Sequence, residues 1–205
     1  MNPQKHLLLQ SFKRKGFQDE IVAAFSKVKR EDFVPRNLKS MAYEDNALPI
    51  GKGQTISQPY TIATMFSMLE LEEGQKVLEV GSGCGYALAL LSEIVGKEEK
   101  VFGIEIIKDL SEKSKKNLEK YKNTRVHLGD GKLGWKEKSP FDRILISASC
   151  SEIPKPLISQ LKGGGILVAP IGNKFNQTIT AFKKTSGKLK ITEELPGFVF
   201  VPLVD

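Results

Sequence analysis

An α/β fold on a mostly parallel sheet is predicted by three features of this 205-residue sequence. Strand-like and helix-like hydrophobic rhythms alternate from residue 76 to residue 170, the pattern of βαβ units whose sheet is covered on both faces. The first third shows apolar positions at helical spacing, which predicts N-terminal helices. Two β-rich runs flank Ser186-Gly187, a short-turn signal that predicts an antiparallel C-terminal hairpin on the sheet edge.

Residues 4–15 and 19–29 read as helices, with Asp19 as a plausible N-cap, and Phe33-Val34-Pro35 ends that run. Residues 43–57 carry Pro49, Gly51 and Gly53 close together and read as a loop. Residues 60–71 return to helical spacing through Ile62, Met65, Phe66 and Leu69. Strands are predicted over 76–80, 101–106, 125–128, 142–147 and 166–170. Helices are predicted over 86–95, 110–121 and 156–161, the last stopping at Gly163-Gly164-Gly165. The hairpin strands are placed at 178–184 and 188–195.

Forty per cent of the residues are hydrophobic, enough for a buried core at this length. No run approaches the ~18 uncharged apolar residues of a membrane span, and residues 1–10 do not resemble a signal peptide. Cys84 and Cys150 form no disulfide framework, so a reducing, cytoplasmic location is the expectation. The 31 basic and 24 acidic residues give a net charge of +7, which hints at anionic partners. Much of that excess lies in residues 108–122, where Lys and Glu interleave as on a solvated helix face, so nucleic acid is not the expected partner.

The chemistry-bearing motifs follow the predicted strands. Gly81-Ser82-Gly83-Cys84-Gly85 leaves the first strand and opens a helix, where glycines allow close backbone approach and free N–H groups favour an anionic ligand group. A tight turn with no ligand would use the same residues. Tyr86 falls one place after the third glycine, which departs from the dinucleotide fingerprint G-x-G-x-x-G. Glu105 ends the second strand, 20 residues after Gly85, where a carboxylate can accept from ribose hydroxyls of several cofactors. Gly129-Asp130-Gly131 follows the third strand and reads equally as a ligand contact or an Asp-Gly turn. Ser57 taken by itself reads as an N-cap for the helix from Tyr60.

Leu78-Glu79-Val80-Gly81-Ser82-Gly83-Cys84-Gly85 resembles the cofactor loop of Rossmann-like methyltransferases. Gly53-Gln54-Thr55-Ile56-Ser57-Gln58-Pro59-Tyr60 resembles, more specifically, the signature loop of protein-L-isoaspartate O-methyltransferases. The order of GIEI at 103–106, GDG at 129–131, PFDRI at 140–144, LKGGGILVAPIG at 161–172 and FVPL at 200–203 extends that resemblance over nearly the whole chain.

The resemblance implies a Rossmann-like S-adenosylmethionine-dependent methyltransferase fold in one domain over 1–205. Its parts are a helical N-terminal region with the active-site loop (1–60), a cofactor-binding core (61–175) and a C-terminal hairpin (176–205). It implies S-adenosylmethionine as donor, S-adenosylhomocysteine as product and no metal. The implied substrate is the free carboxylate of an L-isoaspartyl, and also a D-aspartyl, residue in damaged proteins, whose ester collapses to a succinimide. By the family pattern Ser57 belongs to the active site. Thr55 and Ile56 would line the donor, and Gly81, Ser82, Gly83 and Gly85 would hold its methionine end. Glu105 and Ile106 would meet ribose and adenine, and Asp130 and Gly131 the adenine edge. A monomer is expected. Cys84 stands where relatives often have Ser or Thr, and Ser147-Ala148-Ser149-Cys150 replaces a more Ala-rich stretch.

The chemistry agrees with that implication. A carboxylate, with a reference pKa near ~4, is already a nucleophile at pH 7, so a chain with two histidines, His6 and His127, needs no Ser-His-Asp arrangement. His127 is expected to be structural, and Trp135 to pack near the cofactor pocket. Two other activities share parts of the pattern: an RNA or DNA methyltransferase, for which SASC stands where a base-binding Pro-Pro-aromatic motif would be, and an NAD-dependent oxidoreductase. A cofactor-sensing module without catalysis would share the fold.

Overall fold

The computed structural model describes residues 2–98, 100–173 and 175–204. Helix α1 (Pro3–Arg14) starts at Asn2, whose side-chain oxygen accepts from the backbone N–H groups of Gln4 and Lys5. In α2 (Asp19–Lys27) the N-cap is Gln18. Asp19, expected as the cap, lies one residue inside, where its charge faces the positive helix terminus instead. The two helices meet through Phe12 and Phe25, whose rings sit edge to face at 5.1 Å.

The segment expected as a loop over 43–57 contains a small antiparallel ribbon of β1 (Leu48–Gly51) and β2 (Gln54–Ile56). Leu48, Ile50 and Ile56 point into the core, and the chain reverses through Gly51, Lys52 and Gly53, all at positive φ. An alternation this short, interrupted by Pro49 and two glycines, does not register as a strand in sequence. Helix α3 (Pro59–Leu69) follows, capped from a distance: Asp45 Oδ1 accepts from the Tyr60 N–H at 2.8 Å.

The large sheet comprises β3 (Val77–Val80), β4 (Val101–Glu105), β5 (Thr124–Leu128), β6 (Phe141–Ile146), β7 (Leu161–Gly172), β8 (Gln177–Thr185) and β9 (Lys188–Phe198). Its order is β5-β4-β3-β6-β7-β8-β9, parallel from β5 to β7 and antiparallel from β7 to β9. Helices α4 (Tyr86–Val95), α5 (Lys108–Asn117) and α6 (Lys155–Gln160) lie between successive parallel strands in the chain. β7 begins at Leu161 and not, as expected, at Ile166. Its pairing with β6 jumps from Phe141–Leu161 to Arg143–Ile166, so the glycine run expected as a helix stop is a bulge inside the strand.

Side chains alternate between two apolar layers. Val77, Val101, Leu145 and Val168 join the cluster built with α1 to α5, while Leu78, Val80, Phe102, Ile144 and Leu167 pack on the other face around Leu157 of α6. Among the described residues no helix is long and apolar enough to cross a membrane.

Beyond β9 the chain returns as a strap across the carboxyl ends of the strands. Ser149 N–H donates to Val201 O and Leu203 N–H donates to Ser149 O, both at 2.8 Å. The buried Gln177 amide accepts from Phe200 N–H at 2.6 Å and donates to Phe200 O at 3.4 Å and Asn173 O at 2.9 Å. Replacing that amide by an apolar group of similar size removes the anchor. Gln177→Leu is expected to lose ~1–3 kcal/mol of stability and to raise hydrogen exchange at the Phe200 amide above that of the β8 amides, measured by exchange mass spectrometry or NMR.

Candidate active site

The winding of the sheet reverses between β3, which continues to β4 and β5, and β6, which continues to β7 on the other side. Crevices outside the carboxyl ends of strands at such a reversal are where open α/β sheets bind ligands. Gly81 follows β3, Glu105 ends β4, Gly131 lies beyond β5 and Ser147 follows β6.

Two connected hollows occupy this place. The first is lined by Val80, Gly81, Gly83, Glu105, Ile106 and Gly131 on the sheet side and roofed by Gln54 and Thr55 of the ribbon and by 201–204 of the strap. The second runs from Gly81, Ser82 and Gly83 beneath Thr55, Ile56 and Ser57 to Glu79 and Ser147. A wider groove of about 480 Å³ opens from Thr55, Ser57 and Ser147 toward residues 195–201 at the end of β9. Thr55 and Ser147 line all three spaces.

Of the eleven residues predicted for the site, nine line the hollows and two, Gly85 and Asp130, lie just off them. Thr55, Ile56, Ser57, Gly81, Ser82, Gly83, Glu105, Ile106 and Gly131 line the hollows. Gly85 does not line them; it caps α4 at φ 85, and a Cβ there would stand 2.9 Å from Leu118. It shapes the loop by letting α5 pack against it. Asp130 also lies off the lining, next to Gly131, and its Oδ1 accepts from Lys132 N–H at 2.8 Å, so it organises the turn that follows β5. Gly131 admits no side chain because a Cβ would collide with Val80.

Glu105 is buried with both oxygens engaged: Oε2 accepts from Gly83 N–H at 2.7 Å and Oε1 from Ile107 N–H at 2.9 Å. The carboxylate therefore ties the glycine loop to the end of β4 and keeps spare lone pairs toward the hollow. Ser57 does not cap α3, since Gln58 is the N-cap and Asp45 supplies the accepting oxygen. Its hydroxyl makes no hydrogen bond among the described residues and lines both the second hollow and the wide groove.

Among the lining residues that carried no predicted role are Glu79 and Ser147. Glu79, in the middle of β3, is 2% exposed. Its Oε1 accepts from Ser147 Oγ at 2.7 Å, and its Oε2, on the hollow, has no protein partner. Burial pushes its pKa up to about 8, against the Ser147 hydrogen bond, which lowers it. The signal for Glu79 was present in sequence, as a carboxylate inside the apolar run Val77-Leu78-Glu79-Val80. Ser147 had no such signal, because its role depends on β6 lying beside β3.

Other expectations change. Trp135 packs edge to face on Phe102 at 5.6 Å and beside the exposed His127, away from the hollows, so it belongs to the α6-side layer and not to the cofactor pocket. His127, expected to be structural, lines none of the hollows, in keeping with that expectation. Cys84 is buried, and burial raises its thiol to about 11, which leaves it unreactive. The Ser147–Cys150 stretch does more than vary the family pattern, since Ser147 holds Glu79 and Ser149 holds the strap.

Comparison with known proteins agrees with this geometry. The sequence model described as Protein-L-isoaspartate(D-aspartate) O-methyltransferase (PCMT) matches residues 2–205. The chain belongs to that family. It is 44% identical to the protein-L-isoaspartate O-methyltransferase of Methanothrix thermoacetophila over 98% of this chain and 95% of that protein. It is 47% identical to that of Petrotoga mobilis over 94% and 91%. A solved protein-L-isoaspartate O-methyltransferase superposes with a TM-score of 0.90 at 32% identity, covering 98% of this chain and 66% of the solved one. A putative family member from Plasmodium falciparum, solved in complex with S-adenosyl-L-homocysteine, superposes with a TM-score of 0.85 at 27% identity over 100% and 99%.

The buried carboxyl makes a stability prediction. Glu79 has its ordinary value of 4.5 when unfolded and about 8 when folded. Between those values the unfolded chain has released a proton that the folded protein keeps, so this group's contribution is present at pH 4 and is lost as pH rises through about 8. Glu79→Gln is expected to flatten the fall of the thermal midpoint between pH 5 and 8 relative to the unmodified protein, read by scanning calorimetry without cofactor.

Proposed function

We propose that the chain transfers the methyl group of S-adenosylmethionine to the free carboxylate of L-isoaspartyl residues, and of D-aspartyl residues, in damaged proteins. The observation that carries this reading is the unengaged Ser57 hydroxyl at the junction of a glycine-loop hollow and an open groove.

The residues present suit the donor. Glu79 Oε2 offers a buried, unpartnered acceptor for the ammonium of its methionine end, a favourable pairing for an otherwise costly burial. The N–H groups of the glycine loop suit its carboxylate, and Glu105 and Ile106 suit ribose and adenine. The bound donor supplies an electrophilic methyl group on a sulfonium. No metal is invoked, because methyl transfer to an ionised oxygen requires none.

Ser57 donates a hydrogen bond to one oxygen of the acceptor carboxylate and leaves the other to attack. A neutral hydroxyl orients the nucleophile without quenching it, as a lysine or arginine would. The new O–CH3 bond takes the carboxylate lone pair, the S–CH3 pair stays on sulfur, and no proton is transferred. Gln54, Thr55 and the strap exclude water from the attack line. The following peptide nitrogen of the released ester then displaces methanol to give the succinimide.

Residues 195–201 run along the groove beside Ser57, Gln58 and Tyr60 and would receive the extended chain on either side of the damaged residue. The protein would act as a monomer in the cytoplasm, on proteins and not on nucleic acid. The place after β6 that a base methyltransferase gives to base stacking is here committed to holding Glu79 and the strap.

The test is incubation with methyl-labelled S-adenosylmethionine and paired peptides carrying isoaspartate or aspartate. Base-labile label is expected on the isoaspartyl peptide alone; label on neither, with S-adenosylhomocysteine still bound, would contradict the reading. Ser57→Ala is expected to lower kcat at least ~10-fold with unchanged affinity for S-adenosylhomocysteine by calorimetry.

A further inference from the structure

Arg30 is the largest fully buried side chain, with 0% exposure, and among the described residues no carboxylate lies within ion-pair distance of it. Its guanidinium is spent on backbone carbonyls: Nη1 donates to Ala42 O at 2.7 Å, and Nη2 donates to Asn46 O and to Ser57 O, each at 3.0 Å. Nε has no partner. The guanidinium lies 5.8 Å from the ring centroid of Tyr86, the first residue of α4 beyond the glycine loop. Burial lowers its pKa, yet an arginine stays charged at neutral pH.

A buried cation without a counter-ion is costly, and an apolar residue would fill the same space more cheaply. What the charge supplies is a rigid fork joining three places at once: the turn after Met41, the turn that carries Asp45, and the backbone of Ser57. Asp45 from the second of these caps α3 at Tyr60, so Ser57 is held on both sides, by Arg30 at its own carbonyl and by Asp45 three residues on. With its carbonyl fixed away from the cleft, the hydroxyl of Ser57 is left facing it.

We propose that Arg30 is the positioning residue of the methyl-transfer site, fixing the backbone of Ser57 so that its hydroxyl meets the acceptor carboxylate. The proposal rests on the role given to Ser57 above. A loop tie that served folding alone would lower stability and leave the remaining activity insensitive to whether Ser57 is present. A positioning residue acts only through the hydroxyl it places.

The experiment is a double-mutant cycle on the full chain with Arg30→Lys, which keeps the charge but not the fork, and Ser57→Ala, assayed on an isoaspartyl peptide with saturating donor. Arg30→Lys alone is expected to lower kcat about 10-fold or more, since small misplacements of an orienting group carry losses of that size, with S-adenosylhomocysteine affinity changed less than about twofold. In the Ser57→Ala background it is expected to change kcat by less than about twofold. Equal losses in both backgrounds, or no loss in the first, would overturn the proposal. No loss from Ser57→Ala alone would overturn the role of Ser57 instead, a distinct outcome. Should Arg30→Lys fail to fold, Arg30→Gln, a neutral donor to the same carbonyls, takes its place; failure of both would make Arg30 a folding residue and overturn the proposal.

Discussion

The winding of the sheet reverses at β3, and the chemistry of the cleft depends on that reversal. A parallel crossover packs back onto its sheet with one hand, so helices leaving β3 and β6 diverge and leave their strand ends uncovered between them. Gly81 and Glu105 come to this gap from one side and Ser147 from the other. No local interaction could bring Glu79 and Ser147 together across 68 residues of chain; the parallel register of β3 with β6 does. The ribbon of β1 and β2 and the terminal strap then need only lie across an opening that the sheet has already made.

Two buried ionisable groups flank the place where a positive methyl donor and a negative acceptor would cancel. Glu79 lines the glycine-loop hollow with one oxygen unpaired, and Arg30 stands behind the Ser57 loop with, among the described residues, no carboxylate within ion-pair distance. Each is expensive to bury in the free protein; the open oxygen of Glu79 suits the ammonium of a donor's methionine end, and Arg30 spends its charge on the carbonyls that fix the Ser57 loop. Transfer turns a sulfonium and a carboxylate into a thioether and a neutral ester, while the ammonium that Glu79 would hold is the same in donor and product. The wide groove shares Thr55, Ser57 and Ser147 with the second hollow and Thr55, Ser147 and Val201 with the first, so a few residues separate the two spaces.

Most of the fold was legible in the sequence because it follows strict periods. Tyr86–Val95 begins and ends where its helical spacing does, and the parallel strands β3 to β6 fall within a residue or two of their apolar runs. The misses have physical reasons. β1 and β2 are too short, and too interrupted by Pro49 and Gly51, for alternation to show. β7 starts early because a bulge lets three glycines stay in the strand. At the site, residues that line the cleft from a glycine loop or a strand end were readable from motif position, as with Gly81, Gly83 and Glu105. Gly85 and Asp130 share the motifs but lie off the lining of the hollows, a difference that motif position does not reveal. Ser147 and Arg30 act across long sequence separations, and only the assembled sheet and loop give them meaning.

The central claim is that donor and acceptor meet at Ser57, with the donor's amino end on Glu79. The most direct measurement is a crystal structure of the chain with S-adenosylhomocysteine and an isoaspartyl peptide bound together. The account predicts the isoaspartyl carboxylate within hydrogen-bond distance of Ser57 Oγ, the homocysteine ammonium on Glu79 Oε2, and the peptide lying along residues 195–201. A carboxylate seated elsewhere in the groove, with Ser57 turned away from it, would contradict it.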